Sequence, residues 1–288
     1  MRWLCLSLLV ITTFRLTAQT QGSDYRIYDT RLKKETTITA IAEGMQAGQV
    51  LAYGEQHDDS IGHLLEKNLL EALYQKQGQN VILSMEMFHR DVQYIVDEYL
   101  AGIISEKNFI KEARAWDTYK TDYRPAVEFA KEKGLKVLAA NTPSRYTNLV
   151  TRKGLQALSS LDKEVRKKYI APLPIDTVTG KYYDQFLEAM GGHSMPGMNL
   201  FQSQNLWDAT MAWSIAGALK KHKKAVVLMF NGRFHSDFHL GMARRLAVEY
   251  KKTVITISSF SGELEKPDWK AYEEQADYII LTRGKMEK

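Results

Sequence analysis

Six short runs of nearly continuous apolar residues recur along the chain, at Val50 to Tyr53, Val81 to Met85, Leu135 to Ala140, Ala225 to Phe230, Thr253 to Ser258 and Tyr278 to Leu281. Runs of that kind suit strands buried on both faces of a parallel sheet. Between them the apolar positions take helical spacing, over Ile61 to Lys76, Val92 to Ala101, Ala126 to Lys133, Leu155 to Tyr169, Leu200 to Leu219 and Gly241 to Tyr250. The alternation predicts an α/β fold with a mainly parallel central sheet and helices on both faces. No repeat or Ser/Gly linker interrupts it, so a single domain is expected over 45–288, preceded by an extension over 19–44. The stretch from Asn141 to Lys223 offers only helices and loops, which predicts an inserted helical cap at about 142–223. Inside it, Met190 to Met198 has three glycines, a proline and no period, the signature of a mobile loop.

The first eighteen residues read differently. Arg2 is followed by an apolar run through Trp3, Leu4, Leu6 and Leu8 to Ile11, and Leu16-Thr17-Ala18 precedes a polar stretch. This predicts a cleaved signal peptide over 1–18 and an exported, periplasmic or secreted, protein. The run is too short for a membrane span, and no other segment reaches the roughly 20 residues one needs. Cys5, the single cysteine, lies within the apolar run, where it cannot serve as a lipid-attachment site after cleavage. A mature chain without cysteine has neither disulfides nor thiolate metal sites, so any metal falls to His, Asp, Glu or Tyr. The formal charge is +5, and Arg2 and Arg15 leave with the leader, so the rest carries about +3. That is too mild to argue for nucleic acid. The basic block Lys220 to Lys224 reads as a solvated helix end.

Candidate chemistry collects after the strands, where ligands bind in open parallel sheets. The first strand runs into Gly54-Glu55-Gln56-His57, the second into Glu86, the third into Asn141-Thr142-Pro143, and the fourth into Asn231-Gly232-Arg233-Phe234-His235. Alternate side chains of an extended backbone point the same way, so Glu55 and His57 are expected to face one cavity. Gly54 is expected to let the chain turn there. A carboxylate at Glu86, at the end of a buried strand, needs a partner. Each of these alone is more often structural than functional. Four strand ends that converge on Glu55, His57, Glu86 and His235 point instead to a site, with oxygen and imidazole donors suited to divalent metals. His239 is spaced four residues from His235 and ranks behind it, because the backbone between them need not be helical. On the Leu200 to Leu219 helix, Gln204 and Asp208 fall in the middle of an apolar arc. They either satisfy backbone atoms or line the same cavity. His193, with Met190, Met195 and Met198, offers nitrogen and thioether donors that could meet a haem or a soft metal.

The Gly54-Glu55-Gln56-His57, Glu86-Met87-Phe88 and Gly232-Arg233-Phe234-His235 motifs together resemble the ChaN-like haem-binding uptake family of the Tiki superfamily. Arg90 to Gln93, Trp116 to Pro125, Ala139 to Pro143 and Gln204 to Ala212 extend the likeness over roughly residues 45 to 250. The resemblance implies a central sheet whose pocket carries the Gly-Glu-x-His and Gly-x-x-His motifs. In the ChaN branch these accompany haem binding and iron acquisition, and in related branches a proposed metal-dependent hydrolase site. It makes Glu55, His57, Glu86 and His235 the core set and adds His63, which matches a second histidine frequent in the family. Ala243, where many relatives have proline, and the missing lipid-attachment cysteine depart from the pattern.

The leading expectation is therefore an exported haem-binding protein for haem or iron uptake or handling. Haem is its cofactor, with His193, His63, Gln204 and Asp208 as cofactor-binding candidates. Expected partners are haem or another small ligand, a second copy of the chain as a homodimer, and outer-membrane haem-uptake components. The alternative is a peptidase-like metal-dependent hydrolase. There Glu55, His57, Glu86 and His235 hold Mn, Zn or Co, and Glu55 or Glu86 activates water. The third reading makes the same residues a structural hydrogen-bond network.

Overall fold

All six apolar runs become strands, and two more strands join them from the N-terminal extension. The computed structural model describes residues 24–177, 179–192 and 197–284; His193 and the leader sequence fall outside them. The strands are β1 (Tyr25–Asp29), β2 (Lys34–Glu35), β3 (Val50–Glu55), β4 (Val81–His89), β5 (Lys136–Asn141), β6 (Val226–Gly232), β7 (Val254–Ser261) and β8 (Tyr278–Thr282). They form one sheet in the order β2-β1-β8-β7-β3-β6-β4-β5. Every pairing from β8 to β5 is parallel, and β1 closes the other side antiparallel to β8.

The helices are α1 (Ile38–Gly44), α2 (Ser60–Gln77), α3 (Gln93–Leu100), α4 (Glu106–Glu112), α5 (Arg124–Lys133), α6 (Ser144–Lys153), α7 (Lys163–Tyr169), α8 (Lys181–Ala189), α9 (Leu200–Lys221) and α10 (Gly241–Val248). The two-residue period of β3 sorts its side chains between two cores. Leu51 and Tyr53 pack with Leu65 and Leu69 of α2 and Val127 of α5. Val50 and Ala52 pack on the opposite face with Met211 and Ile215 of α9 and Leu246 of α10. Helix α9 also turns Leu206 and Ala209 toward Tyr146, Val150 and Ile170 of the cap, so it is buried on two sides. No helix among the described residues is long and apolar enough to cross a membrane.

Local sequence accounts for several boundaries. Asp59 caps α2 by accepting from the Ile61 and Gly62 amides, and its other oxygen accepts from Thr282 at 2.6 Å, which ties the helix start to β8. The helical spacing over Leu155 to Tyr169 does not give one helix. It splits into a 3₁₀ segment, Leu155–Ser160, and α7, because Asp162 caps a new start by accepting from Glu164 and Val165.

Candidate functional site

The candidate side chains gather at the carboxyl rim of β3, β4 and β6, and strand parity divides them into two pairs. Glu55 shares the parity of Leu51 and Tyr53 and leaves the sheet on the α2 face. Glu86 shares the parity of Ile82 and meets His235, which Asp208 and Gln204 of α9 contact in turn. His57, two residues beyond Glu55, swings back over the rim, and its Nδ1 lies 2.6 Å from Glu55 Oε1. Tyr123, at the start of α5, donates to the same oxygen at 2.6 Å. Burial and the neighbouring Glu55 carboxyl push the Tyr123 phenol far up, so it stays a donor. The hydrogen bond to Glu55 raises the pKa of His57 against the opposing effect of partial burial.

The second pair is deeper. Glu86 Oε2 accepts the Gly232 amide at 2.9 Å, and Oε1 lies 3.3 Å from His235 Nε2. His235 Nδ1 is 2.7 Å from Asp208 Oδ1, whose partner oxygen accepts from Tyr182 at 2.5 Å. The Gln204 amide nitrogen sits 3.2 Å from the Tyr182 hydroxyl and 3.1 Å from His235 Nδ1. Burial disfavours charge on His235, but the Glu86 and Asp208 carboxylates outweigh it and hold the imidazole pKa up at about 10. Burial would likewise raise Glu86, yet His235 and the Gly232 amide bring it below its ordinary value. His235 is thus an imidazolium between two carboxylates, with both nitrogens engaged.

His57, Glu86 and His235 line one cavity of about 710 Å³, well within the range of about 300–1,000 Å³ usual for small-ligand pockets. Glu55 stands behind His57 and does not line it. Trp116 packs edge-on against His57 at 5.5 Å, Trp207 lies 6.3 Å from His235, and Phe186, Met190 and Leu200 of the cap complete a mainly apolar wall. Gly232 matters for approach. A Cβ there would stand 3.0 Å from His57 Nε2 and 3.2 Å from Cε1, so the second motif needs glycine to let the first motif's ring lie over it.

Two expectations, those for Gly54 and His63, change on contact with the structure. Gly54 makes no turn but lies within β3, and a Cβ would meet Ser236 Oγ at 2.8 Å and the Ile257 carbonyl at 3.0 Å; the segment after β6 and strand β7 crowd it and leave room only for glycine. His235 and His239 occupy separate 3₁₀ turns, with Phe238 and His239 at φ of 57° and 56°, so they share no helical face. His239 is half exposed beside Thr256 and Asp277. His63 lies not in the cavity but below it, with Nδ1 3.5 Å from Glu55 Oε2 and 3.2 Å from Glu66 Oε2. Among the described residues, Glu55, His63 and Glu66 are the group of metal-type donors that come within 4.8 Å of one another.

Sequence reasoning gave no site role to His89, Trp116, Tyr123, Tyr182 or Glu66. His89 lines the cavity beside Glu86, and burial lowers its pKa, which leaves a neutral imidazole there. Its parity in β4 differs from that of Glu86. A register shift in the β4–β5 pairing between Met85 and His89 brings both to one cavity, as bulges beside sites commonly do. Nothing in the residue pattern announces that shift. Glu66 was legible in principle, since His63 and Glu66 are three apart on one helix face.

A sheet of this order with an aromatic-walled cavity at its carboxyl rim defines an α/β protein with a pocket of small-ligand size. The match that follows is narrower. A family described as haem-binding uptake, Tiki superfamily, ChaN, matches residues 41–246, and the chain belongs to it. No curated protein matches. Among solved structures the chain is similar to ChaN of Campylobacter jejuni, described in terms of cofacial heme binding, with a TM-score of 0.68, 18% identity and coverage of 91% of this chain and 98% of that one. It is also similar in fold to an erythromycin esterase, EreC, in its open conformation, with a TM-score of 0.51, 11% identity and coverage of 90% and 97%.

Proposed function

We propose that this protein is an exported haem-binding protein of haem or iron uptake or handling, with haem seated in the cavity at the sheet rim. Membership in the haem-binding uptake family supports the ligand, and the N-terminal sequence supports export. One structural observation carries the reading: a cavity walled by Trp116, Trp207 and Phe186 presents the Nε2 side of His57, whose other nitrogen is fixed by Glu55. A flat apolar macrocycle suits those walls. A carboxylate on the far nitrogen orients an imidazole and increases its strength as a ligand. His57 and the neutral His89 are the residues that would hold the iron. His235 cannot, because both its nitrogens already face carboxylates. When bound, haem would supply the iron centre, and the protein's own residues orient it and exclude water. The same reading extends to partners, a second copy of the chain and outer-membrane haem-uptake components.

Titration of the purified protein with haemin tests this. A saturable Soret shift is expected, with affinity reduced at least about tenfold in His57→Ala, or about 1.4 kcal/mol. No shift at micromolar haemin would refute the proposal.

A second reading rests on the Glu55–His57 couple, since an imidazole oriented by a carboxylate at 2.6 Å is also the arrangement of a general base. A hydrolase reading predicts that a peptide and ester panel is cleaved by the wild type and about 100-fold more slowly by Glu55→Gln. Equal rates would end it.

A further inference from the structure

Behind the cavity, on the α2 face of the sheet, a second group of ligating side chains is closed off from solvent. Glu55 is 3% exposed, His63 4% and Glu66 1%. His63 Nε2 lies 3.2 Å from the His57 carbonyl, which only accepts, so that nitrogen carries the proton. In a neutral ring Nδ1 is then a lone pair, and it faces Glu55 Oε2 at 3.5 Å and Glu66 Oε2 at 3.2 Å. A lone pair and two carboxylate oxygens so placed repel one another unless a proton or a metal ion lies between them. A single proton can join only two of these atoms, and apart from each other's carboxyl neither Glu55 Oε2 nor Glu66 Oε1 has a hydrogen-bond partner. Each is a buried polar atom that costs free energy as it stands.

We infer that Glu55, His63 and Glu66 form a buried site for a divalent first-row metal ion, distinct from the cavity and from any ion held there. Metal–ligand bonds of about 2.0–2.1 Å around a tetrahedral centre put neighbouring donor atoms about 3.4 Å apart. Two of the three separations, 3.5 and 3.2 Å, already match that spacing, and all three donors lie within 4.8 Å of one another. Two carboxyl oxygens and one imidazole nitrogen suit Zn²⁺ or Mn²⁺ rather than a soft ion. The outer contacts also fit: the bond from His63 Nε2 to the His57 carbonyl fixes tautomer and ring plane, and Tyr123 and His57 fix the other oxygen of Glu55. Because Glu55 joins the cluster to His57, an ion on Oε2 would lie directly behind the imidazole held by Oε1.

The test uses haem-free protein, stripped with a chelator, incubated separately with Zn²⁺ and with Mn²⁺ and desalted. Elemental analysis should find about one equivalent of at least one of the two ions retained by the wild type. Retention should be at least about 100-fold weaker in Glu66→Gln and fall by at most about tenfold in His57→Ala, which removes one outer contact while Tyr123 still holds the same oxygen of Glu55. Anomalous diffraction at the metal edge on the wild type alone supplies a readout independent of how the variants fold. Density between residues 55, 63 and 66 confirms the site. Density only beside His57 and Glu86, or no retained ion of either kind, overturns it in favour of a proton shared by the two carboxyls. Haem binding is measured separately, so either result leaves that reading to its own test.

Discussion

His235 shows how a common side chain acquires an uncommon state. Flanked by Glu86 at 3.3 Å and Asp208 at 2.7 Å, it exchanges the role of metal ligand for that of a buried cation. Its pKa in the folded protein, about 10, lies above the ordinary 6.5. The stabilisation is therefore complete below about pH 6.5 and lost as pH rises toward 10. Glu86 is lowered, so its contribution is present above the ordinary value of 4.5 and lost as pH falls below it. Urea unfolding of the wild type and His235→Gln should give a stability difference on the order of a few kcal/mol at pH 6 that shrinks steadily to pH 10. A difference independent of pH over that window would mean that the imidazole is not charged. His57 faces the opposite situation: one nitrogen is fixed and the ring is half exposed, which keeps it available to a ligand.

At the scale of elements, β3 and α9 do most of the positioning. Strand β3 lies between β6 and β7, so its end is held on both sides and Glu55 starts from a rigid base. Its extended backbone was readable from a continuous apolar run, and alternate side chains of such a backbone point one way, which is why Glu55 and His57 could be placed together from sequence. Helix α9 was readable too: Gln204 and Asp208 interrupt an apolar arc, and both meet His235 and Tyr182. The fate of His89 was not readable, because the register shift in β4 depends on how β5 pairs with it. Helix α8 supplied Tyr182 from a cap whose approach to the sheet no local pattern encodes. Residues before 45 looked like an extension because β1 is short and half polar, yet Ile27 is fully buried and the strand is part of the sheet.

For the molecule as a whole, that strand has a consequence. It covers the edge of β8, and its loss would expose unpaired backbone along a strand whose Ile279 and Ile280 are fully buried. A chain starting at Thr37 should lose at least about 2 kcal/mol from the burial of Ile27 alone, since a large apolar side chain is worth about 1.5–3 kcal/mol. Thermal melts should show a lower midpoint and a tendency to aggregate, whereas an unchanged melt would mean that the sheet closes without β1. The cavity sits far from this edge, at the ends of β3, β4 and β6, so in whatever protein remains folded its ligand chemistry should persist.

The sequence by itself determined the layered architecture, the strand ends that carry chemistry and the family, because periodicity and short motifs are local properties written in consecutive residues. Tertiary structure decided how the donors pair. The two faces of the sheet separate Glu55 from Glu86, so the acidic and imidazole groups form a charged clamp on one face and a buried ligand cluster on the other, where sequence had placed a single centre. Chain parity fixes which face a side chain leaves by. Only the packing of α2 on one face and α9 on the other fixes what it meets there.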